Sequence, residues 1–233
     1  MYHYQVTIEN NPLEIYRFPY EPVDSNMFFL PSGETGIVFD PNENDELLSA
    51  FDQHGTRHIV IVLTHEHYDH TNGTRWLQSK IESELFCQQE CANTISVEKG
   101  NGPKLVAFVL AARDAEDGGH RYEDFKASMK HYSLQADITF DKEDELIVGN
   151  IHLKCYSTPG HTPGSAIYLL GDKYVFTGDS LIQNTPTILR FKESDKAQYE
   201  TVTRPFLKSL DKNMLVFPGH GEPFNINEAK YLY

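Results

Sequence analysis

The sequence predicts an α/β fold built in layers, and three observations indicate it. Short runs of β-branched and aromatic residues alternate with segments of helical periodicity, and strands are followed by helices in both halves of the chain. No repeat, low-complexity tract or linker divides the 233 residues, a length that one domain commonly reaches. We therefore expect residues 1–233 to form a single domain.

The first half predicts a sheet followed by alternating helices and strands. Four strand-like segments between Tyr4 and Asp40 are separated by Pro, Gly and Asn turn signals. The remaining elements predicted here are a helix over Asn44 to Gln53, a strand over Arg57 to Leu63, a helix over Thr74 to Ile81 and a short strand over Ser83 to Phe86. The strand from Arg57 is continuously apolar, which indicates burial on both faces.

The second half begins with a less regular segment, residues 96–137, which we interpret as a possible lid or insertion. Order then returns with strands over Ile151 to Ser157, Ser165 to Leu170 and Lys173 to Phe176, a helix from Asp195 to Leu210 capped by Ser194, and a last strand over Met214 to Phe217. On this helix the spacing predicts one apolar face, formed by Tyr199, Val202, Phe206 and Leu210.

Composition narrows the class of partner and the compartment. The formal charge is -14 and no basic run is present, so we expect a small-molecule substrate rather than nucleic acid or an anionic membrane; the oligomeric state stays open. Three cysteines without a C-x-x-C pair fit a reducing compartment. The amino terminus lacks a signal-peptide pattern, so we expect a cytoplasmic protein.

Potential metal ligands follow four separate predicted strands. They lie in the segments THEHYDH, with His65, His67, Asp69 and His70; STPGH, with His161; TGD, with Asp179; and PGH, with His220. A rigid sheet can aim side chains from several strand ends at one point. His65 and His67, two residues apart in an extended segment, can bind one cation, and Asp69 and His70 can face a second. Imidazole and carboxylate without thiolate suit zinc, and also iron or manganese.

These four motifs, in this order, resemble the metallo-β-lactamase superfamily, nearest its glyoxalase II-like branch. The resemblance extends from about Asn26 to Pro223 and implies an αββα four-layer sandwich with the site at one edge. It implies His65, His67 and His161 around one zinc ion, Asp69, His70 and His220 around a second, and Asp179 bridging them. Asp69 and Asp179 are then the carboxylates of the catalytic centre.

The sequence also departs from individual branches of this superfamily. Glyoxalase II proteins continue into a helical glutathione-binding domain and carry a Gly-Arg step after the Gly-Asp motif, where this chain reads Gln183-Asn184-Thr185-Pro186. The β-lactamases proper lack the bridging aspartate, which is Asp179 here. Flavodiiron oxidoreductases carry glutamate in place of the second histidine, which is His67 here.

Two cations near one another lower the pKa of a shared water to about 7, so we expect a metal-bridging hydroxide to attack the substrate. A thiolate leaves without a proton donor whereas an amine needs one, and the only candidate donors are Tyr122 and Tyr132 in the irregular segment. A small thioester, ester or lactone is therefore the expected substrate. Asp40 and Thr64, next to strand ends, are candidates for supporting the histidines.

Three alternatives stay open. One is a persulfide dioxygenase, which resembles this motif set but uses a single iron. A second is a small-molecule phosphodiesterase of the same fold. The third is a binding protein whose site is silent.

Overall fold

Two β-sheets face each other in the computed structural model, which describes residues 1–8, 10–98 and 103–233. The first sheet has seven strands that follow one another in chain order. These strands are β1 (Tyr2–Ile8), β2 (Asn11–Tyr20), β3 (Ser25–Ser32), β4 (Thr35–Phe39), β5 (His58–Val62), β6 (Glu82–Gln88) and β7 (Ile138–Phe140). The strands from β1 to β4 are antiparallel, and those from β4 to β7 are parallel. The parallel strands therefore end at one common edge.

The second sheet has six strands in the order β13-β12-β11-β10-β9-β8. These are β8 (Glu143–Val148), β9 (Ile151–Ser157), β10 (Ala166–Leu170), β11 (Tyr174–Gly178), β12 (Leu215–Pro218) and β13 (Phe224–Asn225). All neighbours are antiparallel except β11 and β12, which run parallel. Asp179 and His220 follow these two parallel strands, so they emerge at the same end of the sheet.

Helices connect the strands and cover the outer faces of both sheets. They are α1 (Asp45–His54), α2 (Tyr68–Thr71), α3 (Thr74–Gln78), α4 (Gln89–Ile95), α5 (Lys104–Asp117), α6 (Arg121–Ser128), α7 (Lys196–Gln198) and α8 (Arg204–Ser209), with a π-turn at Tyr199–Thr203 and a 3₁₀ turn at Ile226–Glu228. The Asn44 side chain caps α1 by accepting a hydrogen bond from the backbone N–H of Glu46.

Apolar residues form a central layer between the sheets and a separate layer on each outer face. Aromatic rings dominate the centre, where Phe39 stacks on Phe176 at 4.2 Å between centroids and Phe28 packs edge-on against Phe217. Alternate residues of β5 point into the two layers on either side of its sheet, as the continuous apolar run predicts. The predicted αββα sandwich is confirmed.

The helix predicted over Asp195 to Leu210 is present but is interrupted. Its cap is Asp195, whose side chain accepts from the backbone of Gln198, and not Ser194. The π-turn inserts one residue into the helical repeat, so Thr203 is buried while Val202, predicted in the apolar face, is 45% exposed. The predicted cap and the predicted face were both wrong at these positions.

The segment interpreted as a lid or insertion contains α5 and α6. These two helices pack through Val106, Leu110 and Phe125 against Val23, in the turn between β2 and β3. Residues 99–102 of this segment lie outside the described residues. That residues 1–233 form one domain stays a prediction. In the described ranges, no helix combines the length and apolarity that crossing a membrane requires.

Candidate metal centre

Three histidines from two loops converge on one point. His65 and His67 follow β5, and His161 lies in the turn between β9 and β10. The Nε2 atoms of His65 and His161 each lie 3.1 Å from Nδ1 of His67. All three side chains are buried. The structure therefore places this sequence-predicted set together, with one nitrogen from each ring facing the others.

A second group lies next to the first. Helix α2 begins immediately after His67 and carries Asp69 and His70, and His220 follows β12. The Nε2 atom of His220 lies 3.4 Å from Oδ2 of Asp69 and 3.3 Å from Nε2 of His70. These are the three residues expected to bind the second cation, and they too come together in the structure.

Asp179 lies between the two groups. Its Oδ2 atom is 3.5 Å from Nε2 of His161 in the first group. Its Oδ1 atom is 3.5 Å from the Nε2 atoms of His70 and His220 in the second. Within the described part of the chain, Oδ1 is buried and finds no hydrogen-bond partner. A buried carboxylate oxygen in that state costs free energy unless a cation satisfies it.

The Asp40 carboxylate fixes the orientation of two of the rings. Its Oδ2 accepts from the Thr64 hydroxyl at 2.6 Å and from Nδ1 of His70 at 2.9 Å. Since the Thr64 hydroxyl has donated its proton to Asp40, it accepts from Nδ1 of His65 at 3.0 Å. Both rings carry a proton on Nδ1, so Nε2 of His65 and of His70 is the nitrogen that faces the centre. These hydrogen bonds confirm the prediction that Asp40 and Thr64 support the histidines.

The other three rings are fixed in the same way by different acceptors. Nε2 of His67 faces Oε1 of Glu193 at 3.3 Å, Nδ1 of His161 faces the Ile188 carbonyl at 2.9 Å, and Nδ1 of His220 faces the Val23 carbonyl at 3.1 Å. Each acceptor holds the ring proton on the side away from the centre. One nitrogen from each of five imidazoles and two carboxylates thus converge, a donor set that suits metal cations.

The ionisation of these groups follows from burial and mutual charge. Burial, reinforced by His67, lowers the pKa of His161 to about 4. Burial likewise lowers the pKa of His65 well below its ordinary value. Burial opposes ionisation of Asp69, but His70 and His220 outweigh it and hold the pKa of that carboxyl at about 2. His65 and His161 are therefore neutral imidazoles, the form that coordinates metal, and Asp69 is an anion.

Two glycines allow the loops to approach this closely. Gly178 has a φ of 49°, and a Cβ atom there would lie 2.7 Å from Cβ of Thr64. At Gly219 a Cβ atom would overlap Oδ1 of Asp179 and lie 3.0 Å from Cε1 of His70. Glycine at the second position of the TGD and PGH motifs is thus required by contact with the site as well as by the turn.

Comparison with known proteins finds metallo-hydrolases of similar sequence and metallo-β-lactamases of similar fold. The chain is 26% identical over 207 residues to the probable metallo-hydrolase YqgX of Bacillus subtilis (strain 168), covering 88% of this chain and 89% of that protein. It is 26% identical over 199 residues to a hydroxyacylglutathione hydrolase of Anaeromyxobacter dehalogenans (strain 2CP-C), covering 84% and 61%. Among solved structures, the BLEG-1 B3 metallo-β-lactamase matches with a TM-score of 0.71 at 20% identity, over 92% of this chain and 95% of that one.

The chain is thus similar in sequence to metallo-hydrolases and has the metallo-β-lactamase fold. No family model matches the sequence. This metallohydrolase carries its buried His and Asp cluster where the strands of both sheets end.

A cavity of about 590 Å³ opens onto the candidate metal centre. One wall is α5, which contributes Leu105, Val109 and Arg113, and the facing wall is formed by residues 182–191. Tyr122 and Tyr132, proposed as proton donors, do not line it. The Tyr132 hydroxyl is instead buried at 2.8 Å from the Thr71 hydroxyl, and burial raises the pKa of Tyr132 far above its ordinary value.

Sequence reasoning missed two side chains at this site, Glu193 and Arg113. Glu193 is 46% exposed and lies in an irregular loop, where nothing in the sequence links it to His67. The Ser194 hydroxyl in the same loop donates to the His161 carbonyl at 2.8 Å. The only signal for this loop in the sequence was a group of polar residues in a segment without helical or strand periodicity.

Proposed function

We propose that this protein is a dinuclear, zinc-dependent hydrolase of small thioesters, esters or lactones. The observation that carries the proposal is Asp179, whose two carboxylate oxygens face two complete sets of ligands. His65, His67 and His161 would hold one cation, and Asp69, His70 and His220 the other. Zinc suits a set of imidazoles and carboxylates, and iron or manganese would also fit it. When bound, the two cations supply Lewis acidity, which activates water at neutral pH and polarises the scissile carbonyl.

The residues of the chain itself orient the ligands and exclude water. Asp40 holds the Nδ1 protons of His70 and, through Thr64, of His65, so that neither ring can rotate its lone pair away from the centre. The layer of stacked rings that contains Phe39 and Phe176 closes the centre from below, and the cavity admits substrate from above. The chemistry thus occurs at the bottom of a one-sided cleft.

The lining of the cavity favours a leaving group that departs without a proton. The described residues that line it include no Tyr, Lys or Cys side chain. A thiolate, whose conjugate acid has a pKa of about 8.5, leaves as an anion, whereas an amine needs a proton donor. We therefore place thioesters first, esters and lactones next, and amides last.

The cellular setting is part of the same proposal. Cys87, Cys91 and Cys155 are all free and buried in the structure, which supports a reducing compartment, and we propose a cytoplasmic location. The excess of acidic residues supports a small-molecule substrate rather than nucleic acid or an anionic membrane.

Metal analysis combined with a substrate panel tests the proposal. The purified protein is expected to hold two metal ions per chain and to hydrolyse thioesters faster than esters or bis-p-nitrophenyl phosphate. One iron per chain with oxygen uptake on a persulfide would overturn it in favour of the dioxygenase. Hydrolysis of the phosphodiester alone would overturn it in favour of a phosphodiesterase, and inactivity of the metal-loaded protein across the panel would indicate a silent site.

Two ligand variants add a residue-level test. His67→Ala and Asp179→Ala are expected to abolish hydrolysis and lower metal content while the circular dichroism spectrum is kept, because both residues lie in loops at the edge of the sandwich. His152→Ala is the matched control, since His152 is exposed on β9 and lies apart from the cluster, where it forms an ion pair with Glu145. Full activity in either ligand variant would refute the assignment of that residue.

A further inference from the structure

Arg113 is a cation without an ionic partner inside the cavity. Among the described residues that line this cavity it is the only Lys or Arg. Its Nη1 atom donates to the Pro22 carbonyl at 2.8 Å, and no described carboxylate comes within 4.0 Å of its guanidinium. The remaining N–H donors of Arg113 are thus available to a bound molecule.

The turn between β2 and β3 places this guanidinium beside the metal centre. Arg113 donates to the carbonyl of Pro22, and the next carbonyl along the chain, that of Val23, accepts from Nδ1 of His220. Consecutive Cα atoms are separated by only about 3.8 Å. The cationic group and one of the proposed metal ligands are therefore anchored to adjacent peptide units of a single turn.

The rest of the cavity is divided between apolar and polar walls. Leu105, Val109 and Phe191 give it apolar surface, whereas the carboxylates of Asp24 and Glu222 also reach it. Glu222 is already paired with the guanidinium of Arg17. A substrate that uses both features has an apolar segment next to the scissile bond and an anionic group at the end that reaches Arg113.

We propose that Arg113 binds a carboxylate of the substrate, which makes the preferred substrate an acyl thioester whose apolar acyl chain ends in a carboxylate. This inference rests on the hydrolytic function proposed above. The reaction balances as the addition of one water across the thioester bond, which yields a dicarboxylate and a thiol. Arg113 makes no contact with the reacting atoms and acts on binding, through a charge-assisted and potentially bidentate hydrogen bond.

A matched pair of thioesters tests the role of Arg113. Both share one thiol and one acyl chain length, but one chain ends in a free carboxylate and the other in its methyl ester. Arg113→Gln is expected to raise KM for the carboxylate substrate about tenfold or more, the range of a charged hydrogen bond, with kcat and the KM for the methyl ester nearly unchanged. Lys104→Gln, which removes the same charge from an exposed position on α5 outside the cavity, is the control and should change neither KM. Equal KM values for the two substrates in the wild type, or an unchanged KM in Arg113→Gln, would overturn the inference and leave hydrolysis intact.

A binding experiment separates this inference from the proposed activity. Calorimetry on the metal-loaded protein compares dicarboxylates of increasing length with monocarboxylates of the same length. We expect at least one dicarboxylate to bind more tightly than its monocarboxylate, and this advantage to disappear in Arg113→Gln but not in Lys104→Gln. If no thioester is hydrolysed, the proposed function fails while this measurement still decides the role of Arg113. Absence of the advantage in the wild type, or its persistence in Arg113→Gln, would refute it.

Discussion

Replacing Asp40 with asparagine removes one acceptor from the centre and changes little else. Asp40 has a φ of 47°, a conformation that asparagine also tolerates, so the backbone carries no new strain. The Asn oxygen can still accept from the Thr64 backbone N–H, as Oδ1 of Asp40 does at 2.7 Å. The Asn amide nitrogen then takes the place of Oδ2, where both the Thr64 hydroxyl and Nδ1 of His70 now donate. The Thr64 hydroxyl and the Nδ1–H group of His70 would then both point at the N–H donors of the Asn amide, with no acceptor for either of them.

The expected magnitude follows from those two hydrogen bonds. Each is made to a buried carboxylate and contributes about 1.5–3 kcal/mol, so the metal-free variant should lose about 3–6 kcal/mol of unfolding free energy. Reversal of the His70 tautomer would place a proton on the nitrogen that faces the centre. Loss of such an outer hydrogen bond lowers metal affinity by about 10- to 100-fold.

Urea unfolding of the metal-free protein and competition with a chromophoric chelator measure the two effects of Asp40→Asn. Asp52→Asn is the control, because Asp52 is an exposed residue of α1 and its substitution removes the same charge. It should change the unfolding free energy by less than about 0.5 kcal/mol. If Asp40→Asn binds metal with wild-type affinity, the reasoning from ring tautomers is wrong.

Three further results are expected. Glu193→Ala should weaken metal binding about tenfold, whereas Glu193→Gln, which can still accept from Nε2 of His67, should retain it; equal losses in a chelator competition would contradict this. Gly178→Ala should lower the unfolding free energy, measured in urea, by about 2–4 kcal/mol, because of the positive φ and the overlap with Thr64. Gly171→Ala is the control: its φ is similar but its contacts are ordinary, so it should cost only about 1 kcal/mol. Removing metal should lower the thermal midpoint, because a cation free at 100 times its Kd adds about 2.7 kcal/mol to the folded state; an unchanged midpoint would show that the metal does not bind selectively to the folded chain.

The sequence pattern predicted a layered α/β fold and the convergence of residues at strand ends, and the resemblance of the four motifs to a known superfamily implied the αββα sandwich. Parallel strands end at one edge of a sheet, so a polar residue directly after such a strand has its position fixed by the topology. Asp179 and His220 illustrate this, since they follow the paired parallel strands β11 and β12. The continuous apolar run of β5 likewise identified a strand buried on both faces.

The features that could not be predicted depend on segments in which the sequence shows no regular helical or strand periodicity. Glu193 contacts His67 through a loop, and Arg113 lines the cavity through α5; neither contact leaves a pattern in the local sequence. The π-turn at Tyr199–Thr203 shifted the buried face by one residue because helical spacing assumes an uninterrupted repeat. Tyr132 looked like a proton donor by residue type, and its burial behind Thr71 removes it from the cavity.

The metal centre lies where the two sheets meet, and this position links metal binding to the assembly of the molecule. Each proposed cation draws ligands from both halves of the chain: His65 and His67 against His161 for one, and Asp69 and His70 against His220 for the other. A polypeptide cleaved between β7 and β8 would thus yield two fragments, neither of which holds a full coordination sphere. Reassociation of such fragments would be driven in part by metal, and the metal content of a sample would report how completely its halves are docked.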